Sequence, residues 1–241
     1  MKTLLYLLLL CFSLLAHAQE TIRVGVERQP YLPYYDVQDD DYRGYARELL
    51  DAFAASRGYR FVYVPLPVQR LYRDFLAGRF DLKYPDHPLW NAEQKAGLDI
   101  RYSQPTATYV DGILVKPAYV AQGAERIRLL GTQNGFTPWP FQDAIRNGRV
   151  QLVQNNHIDA LLRMALHGRI DAVYLNPRVA AHQLQQLGVA PDELVFAPQF
   201  GHVQDYYYLS SLKRPDLIVE FDQFLQEQAE RIEQMRQRHG L

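Results

Sequence analysis

The chain of 241 residues carries 26 lysines and arginines against 27 aspartates and glutamates, so its formal net charge is −1. A chain this close to neutrality gives no reason to expect a nucleic acid or an anionic membrane surface as its partner. Tyrosine is unusually frequent, with 17 copies, and most of them are expected to fill half-buried strand positions.

The first 18 residues have the pattern of a secretory signal peptide. Lys2 provides a positive start, residues 4–15 are almost wholly apolar, and residues 16–18 have the small-x-small form of a cleavage site. The apolar run is shorter than the roughly 20 residues that a membrane-spanning helix needs. We therefore predict cleavage after Ala18 and export. Cys11 is the single cysteine, so the mature protein is expected to rely on a packed core and not on disulfides.

Strands and helices alternate in the first part of the mature chain. The alternation over 22–26 predicts a strand, and the two prolines of the Tyr-rich segment 28–36 predict a loop. Apolar residues at helical spacing predict a helix from Tyr45, a strand over 61–64, and a second helix from Val68. This order predicts a parallel α/β sheet with right-handed crossovers.

Two short stretches nearly repeat each other, at 76–85 and at 166–177. In each, a helix is expected to stop at a glycine, and a strand follows. Ligands of open α/β sheets bind beyond the carboxyl ends of strands, so the polar residues there are the first candidates for a site. They are Lys83, Tyr84, Asp86 and His87 after the first copy and Tyr174 and Asn176 after the second.

The second half of the chain follows a similar plan. Thr137 and Pro138 suit a helix start, whose free backbone N–H groups can hold an anion. Asn156 is expected to cap a helix that ends at Gly168, and the tail from Pro215 has the spacing of an amphipathic helix. Another helix is expected over 177–187, and extended segments are expected at 109–115, 127–130, 150–153, 194–196 and 206–209.

Four segments, in their order and spacing, resemble the periplasmic solute-binding proteins of the amino-acid (family 3) type. They are 22–26, 31–34, 44–50 and 168–173, and the resemblance covers nearly the whole mature chain. It implies a type II periplasmic-binding fold: two α/β lobes, each a mainly parallel sheet flanked by helices, joined by two hinge crossings that close on a ligand. Lobe 1 would comprise residues 21–112 and 201–241, and lobe 2 residues 113–200.

The resemblance also implies ligand-binding positions. The family's stacking aromatic falls on Tyr31, and the acid just upstream falls on Glu27. Its polar run after the third strand falls on residues 83–87, its lobe 2 anion-holding turn on 135–137, and its lobe 2 carboxylate on Asn176. The candidate ligand-binding residues are Glu27, Tyr31, Tyr34, Arg70, Lys83, Tyr84, Asp86, His87, Phe136, Thr137, Tyr174 and Asn176.

Two departures from the family pattern bear on the ligand. The arginine that clamps the ligand carboxylate in the amino-acid binders is replaced here by Gln94, and the carboxylate that pairs with the ligand amine is replaced by Asn176. A buried charge without its countercharge is costly, so a standard α-amino acid fits poorly. Lys83, Arg70 or Lys95 could replace the arginine. We expect a different small polar or aromatic ligand.

The expected role is capture of this ligand for an ABC transporter, by a monomer in the periplasm. The alternatives are a protein that presents its ligand to a membrane sensor, or a dehydratase-like enzyme in which Glu27, Lys83, Asp86 and His87 supply acid and base groups. No cofactor is expected, because the sequence has no phosphate-cradling glycine loop or nucleophile elbow. No metal site is expected, because the histidines are scattered.

Overall fold

The computed structural model describes residues 19–241, so the predicted signal peptide lies outside the described residues. This part of the chain forms twelve β-strands and nine α-helices. The first half contains β1 (Thr21–Glu27), β2 (Asp36–Gln38), β3 (Asp41–Arg43), α1 (Tyr45–Arg57), β4 (Arg60–Leu66), α2 (Val68–Leu76), β5 (Leu82–Asp86), α3 (Ala92–Lys95), β6 (Arg101–Tyr102) and β7 (Ala107–Val115). The second half contains α4 (Pro117–Val120), β8 (Leu129–Gln133), α5 (Gln142–Arg146), β9 (Gln151–Asn155), α6 (Ile158–Leu166), β10 (Ala172–Leu175), α7 (Pro177–Gln186), β11 (Val195–Phe196), β12 (His202–Ser211), α8 (Pro215–Glu227) and α9 (Ala229–Arg238).

Ten of these strands form one continuous curled sheet. Its order is β4-β1-β5-β12-β7-β10-β8-β9, with β6 beside β12 and β11 beside β7. The strands β4, β1 and β5 are parallel to one another, and so are β10, β8 and β9. The long strands β7 and β12 run antiparallel to each other between these two groups. The architecture is therefore two parallel α/β lobes joined by two crossing strands.

The predicted lobe boundaries fall at this crossing. The break between residues 112 and 113 lies inside β7, and the break between residues 200 and 201 lies just before β12. The sheet continues through the crossing, because β12 pairs with β5 of the first parallel group and β7 pairs with β10 of the second. The exact division into lobes stays a prediction.

The repeated stretches have the same local structure in both lobes. Gly78 and Gly168 follow their helices with φ of 71° and 70°, a left-handed conformation that favours glycine. The aspartate three residues later, Asp81 or Asp171, then accepts hydrogen bonds from backbone N–H groups on a neighbouring segment. For example, Arg23 N donates to Asp81 Oδ2 at 2.8 Å. The repeated glycine and aspartate therefore shape the turn from helix to strand.

Two expected helix starts differ from the structure. The chain makes a 3₁₀ turn at Trp139–Phe141 before α5, and Thr137 does not cap it with its side chain. Trp139 N instead donates to the Thr137 carbonyl, as suits a short turn between two prolines. Asn156 does not cap α6, because its side chain accepts a hydrogen bond from Asn134 and the next residue occupies the capping position.

The tail is two helices, α8 and α9, where the spacing predicted one. They are separated at Gln228, and their buried faces carry Phe221, Phe224 and Met235. Both helices contact α1. None of the helices within residues 19–241 is long and apolar enough to cross a bilayer.

Candidate functional site

A cavity of about 410 Å³ lies between the two parallel groups of strands. Residues at the carboxyl ends of the parallel strands line it: Glu27 ends β1, the segment 89–94 follows β5, the segment 135–137 follows β8, and Tyr174 lies near the end of β10. The strands β7 and β12 form its floor and contribute Tyr109, Asp111, Val203 and Tyr207. The cavity therefore occupies the position at which open α/β sheets bind ligands.

Two buried carboxylates face this cavity, Glu27 and Asp111, which are 2% and 8% exposed. Tyr35 Oη donates a hydrogen bond to Glu27 Oε2 at 2.7 Å, and Tyr31 Oη donates to Asp111 Oδ1 at 3.3 Å. The rings of these two tyrosines are stacked, with centroids 5.2 Å apart. A tyrosine pair therefore holds the two acids close to each other.

Burial raises the pKa of both carboxyl groups, because an apolar surrounding disfavours the charged form. Burial raises the pKa of Asp111 to about 7, with the Tyr31 hydrogen bond opposing the shift and the charge of Glu27 adding to it. Burial also raises the pKa of Glu27, although the nearby Lys83 opposes this shift. A cation bound in the cavity would therefore stabilise the charged form of these carboxyl groups.

Aromatic side chains form much of the remaining wall. Tyr109 and Tyr207 are stacked with centroids 4.6 Å apart, and Trp90 lies 5.8 and 5.9 Å from them. On the opposite side, Phe136 and Tyr174 line the cavity. Stacked and tilted rings of this kind present flat apolar faces together with polar edges, which suits a flat or cationic ligand group.

A buried ionic cluster, made of Lys83, Asp86 and Lys95, lies beside the cavity but does not line it. Asp86 Oδ1 accepts from Lys95 Nζ at 2.9 Å and lies 3.3 Å from Lys83 Nζ, and Asp86 Oδ2 accepts from Ser210 Oγ at 2.7 Å. Burial alone would raise the pKa of Asp86, but the two lysine charges and the hydroxyl lower it overall. Both lysines are therefore engaged inside the protein.

Four of the predicted ligand-binding residues line the cavity: Glu27, Phe136, Thr137 and Tyr174. Tyr31 lies directly behind the wall, stacked on Tyr35 and 5.8 Å from Phe136 between ring centroids. Tyr34 is also buried outside the lining, and its hydroxyl donates to the Thr108 carbonyl at 3.1 Å. Tyr31 thus acts on the cavity through Asp111 and Phe136.

The other predicted residues lie outside the cavity lining and have partners within the protein. Lys83 and Asp86 belong to the ionic cluster. Tyr84 forms a hydrogen bond with Thr106, and His87 pairs with Asp205. Arg70 lies near Asp74, and the Asn176 side chain caps α7 by accepting a hydrogen bond from Arg178 N. Arg70 is 59% exposed in its side chain and faces solvent on α2. Most of the polar run 83–87 lies within β5 and not after it, and the run is turned inward because Asp86 pairs with Lys83 and Lys95 in the cluster.

Several lining residues were not predicted, among them Asp111, Trp90, Tyr109 and Tyr207. A signal for the first was present in the sequence. Asp111 is the single charge in the otherwise apolar and aromatic run 109–115. An ionisable residue in a strand of this kind is costly to bury, so it marks a candidate functional position.

Comparison with known proteins identifies the fold. No protein-family model matches the chain, and no curated protein matches it in sequence. Solved structures do match: an ancestral arginine-binding protein bound to arginine is 17% identical, with a TM-score of 0.74 over 92% of this chain and 99% of that one.

Two further structures are similar. The arginine-, lysine-, histidine-binding protein ArtJ from Geobacillus stearothermophilus has a TM-score of 0.71 at 17% identity, over 91% of this chain and 95% of that one. An ancestral amino acid-binding protein, a precursor of cyclohexadienyl dehydratase, has a TM-score of 0.69 at 20% identity over 91% and 95%. These likenesses confirm the fold that the sequence predicted: the chain has the two-lobed type II α/β fold of amino-acid-binding proteins of ABC transporters.

Proposed function

We propose that the protein is a solute-binding protein that captures one small ligand between its lobes and delivers it to the permease of an ABC transporter. The observation that carries this proposal is the cavity of about 410 Å³ at the carboxyl ends of both parallel sheets. Its lining combines Glu27 and Tyr72 from one lobe with Phe136 and Tyr174 from the other. A ligand in contact with both sides would favour a closed arrangement of the lobes.

The ligand is small and polar or aromatic. The cavity volume limits its size, and the aromatic wall and the two carboxylates supply contacts of both kinds. The lining set comprises Glu27, Phe136, Thr137 and Tyr174 from the sequence-based prediction, together with Trp90, Tyr109, Asp111 and Tyr207. The protein is exported to the periplasm after loss of residues 1–18, acts as a monomer, and closes about the crossing of β7 and β12.

We propose binding without turnover. Three of the four residues predicted as acid and base groups, Lys83, Asp86 and His87, lie outside the cavity lining, which favours a binding role. The alternative is catalysis on the same fold. Its support is Asp111, which faces the cavity with a pKa raised by burial to about 7, near the value that suits a general acid or base.

The chain carries a natural reporter for this function. It has two tryptophans, Trp90 and Trp139, and both line the cavity. We expect a metabolite panel, screened by thermal shift and followed by titration of intrinsic fluorescence, to give a saturable change with one ligand per chain. Trp139→Phe should leave a signal from Trp90 alone. Chromatography of the hit after incubation should recover it unchanged.

The same measurements decide between the two candidates. A hit that is converted into a product by the purified protein would establish catalysis in place of transport. A panel of amino acids, amines, organic acids and sugars that gives no saturable fluorescence change would contradict the solute-binding proposal. Capture of the permease by the ligand-loaded protein, and weaker capture by the free protein, would support delivery to a transporter.

A further inference from the structure

We propose that the ligand is a small organic cation, carrying an ammonium or guanidinium group and no carboxylate, which pairs with Asp111 and Glu27. This inference rests on the proposed solute-binding function and specifies the ligand class of the same cavity. It differs from an α-amino acid in one respect: the bound molecule has no negative group for the protein to neutralise.

The charges that line the cavity are all of one sign. Among the described residues, its lining includes the carboxylates of Glu27, Glu93 and Asp111 and includes no lysine, arginine or histidine. A ligand carboxylate placed here would lose its hydration and meet negative charge in return. A cation would meet opposite charge at each of these positions.

Neither buried carboxylate has a basic side chain within ion-pair distance in the described residues, although the charge of Lys83 opposes the rise that burial causes in the pKa of Glu27. Within residues 19–241, neither Asp111 nor Glu27 forms an ion pair with a basic side chain. Each accepts a hydrogen bond from one tyrosine hydroxyl, and in this part of the chain Asp111 Oδ2 accepts none. A buried carboxylate of this kind has unused acceptor capacity facing the cavity, and a charged N–H donor is the group that fills it best.

The two lysines beside the cavity, Lys83 and Lys95, are engaged within the protein. Lys95 Nζ donates to Asp86 and to the His87 carbonyl at 2.7 Å, and Lys83 Nζ donates to the Pro85 carbonyl at 2.6 Å. After β8, Phe136 N donates to the Gln133 carbonyl and Trp139 N donates to the Thr137 carbonyl. The described lining therefore offers no cationic side chain to a ligand carboxylate in this cavity.

The aromatic wall is suited to the same ligand. Trp90, Tyr109 and Tyr207 lie together on the side of the cavity formed by β7 and β12. The negative face of an aromatic ring attracts ammonium and guanidinium groups, and most strongly where water is excluded. The carboxylates and the rings thus favour the same charge.

Two matched pairs of compounds test the ligand class, because each pair differs by one carboxylate. We expect agmatine to bind more tightly than arginine, and tyramine more tightly than tyrosine, by at least about tenfold in calorimetry. Arginine or tyrosine that binds as tightly as its decarboxylated partner would overturn the inference and still support solute binding. If neither agmatine nor tyramine binds, the inferred ligand class is also overturned. The solute-binding proposal is contradicted only if no compound of the wider metabolite panel binds.

A pair of isosteric variants tests the role of the carboxylate. Asp111→Asn keeps an acceptor for Tyr31 but removes the charge, and it should weaken binding of the tighter amine by about 10- to 100-fold. Asp205→Asn is the matched control on β12, because Asp205 pairs with His87 outside the cavity lining, and the affinity should stay unchanged. Circular dichroism checks that both variants fold. An unchanged affinity in folded Asp111→Asn would refute the proposed pairing.

Discussion

Asp111 is placed where its charge lowers stability, a cost that the proposed pairing with a cationic ligand would explain. It lies on β7 and is 8% exposed. It accepts one hydrogen bond from a tyrosine hydroxyl and forms no ion pair within the described residues. Burial raises the pKa of Asp111 to about 7 in the native state, from an ordinary value of 3.8. The native state therefore binds more protons in this range, and stability falls as the pH rises through it. Functional sites often carry such a cost.

Replacing Asp111 with asparagine should stabilise the ligand-free protein. At pH 8 we expect the free energy of unfolding to rise by about 1–4 kcal/mol, because the desolvated charge is removed while the acceptor for Tyr31 is kept. The gain should shrink as the pH falls from 7 towards 4. Urea unfolding at pH 8 and pH 5 measures it, with Asp99→Asn at an exposed carboxylate as the control. If Asp111→Asn is no more stable than the unsubstituted protein at pH 8, burial of the Asp111 charge does not destabilise the native state.

At the scale of elements, the ionic cluster ties three segments together. Asp86 ends β5, Lys95 ends α3, and Ser210 lies on β12, so one carboxylate links a parallel strand, the helix at the edge of the cavity and a crossing strand. Lys83 completes the cluster and is 0% exposed. Because the cluster fixes α3, it positions the lining segment 89–94 without contacting the ligand.

Asp86→Asn should destabilise the protein strongly. It leaves Lys83 and Lys95 buried without their countercharge, and removal of one member of such a network typically costs about 3–5 kcal/mol. Chemical unfolding at pH 7 measures the loss. Asp99→Asn, whose carboxylate is 85% exposed, is the control and should change the stability by less than about 0.5 kcal/mol. A loss in Asp86→Asn as small as in the control would argue against the cluster as a structural anchor.

Gln94 on α3 offers a test of specificity by gain of charge. It is exposed and lines the cavity, and the sequence resemblance assigns it the position of the arginine that clamps a ligand carboxylate. Gln94→Arg should supply a bidentate partner for a carboxylate and narrow the preference for agmatine over arginine by about tenfold. Gln185→Arg, on the exposed surface of α7, adds the same charge and should change neither affinity. Parallel calorimetric titrations measure both, and an unaltered ratio in Gln94→Arg would contradict a cavity that selects by charge.

The helices and strands were largely predictable, and the binding cavity only in part. Periodicity located α1 and α2, and the glycine stops located the ends of two helices, because these signals are local in sequence. The inward orientation of the run 83–87 could not be predicted from local sequence. It depends on contacts of Asp86 with Lys95 and with Ser210, and Ser210 is distant in sequence. Likewise, the face on which β7 presents Asp111 depends on its pairing with β12.

For the molecule as a whole, the proposed binding between the lobes predicts that a ligand raises the stability of the native state. A ligand that binds the native state alone stabilises it by about 2.7 kcal/mol at a concentration of 100 times its Kd. For a protein of this size, we expect a rise in Tm of about 5–10 °C with the tighter-binding amine. Differential scanning fluorimetry measures the shift. Asp111→Asn at the same ligand concentration should show a clearly smaller rise, and an equal rise would place the ligand elsewhere.

The pair β7 and β12 has a consequence for how the protein responds to its ligand. These strands pair from His202 to Tyr207 without interruption, and they also carry Asp111, Tyr109 and Tyr207. A rotation of one lobe against the other must therefore change the twist of the strands that form the cavity floor. Under the proposed function, the strands that contact the ligand are also the strands that deform when the lobes move, so no separate relay between site and hinge is required. A molecule that fills the cavity without touching this floor would be bound yet leave the lobes where they are.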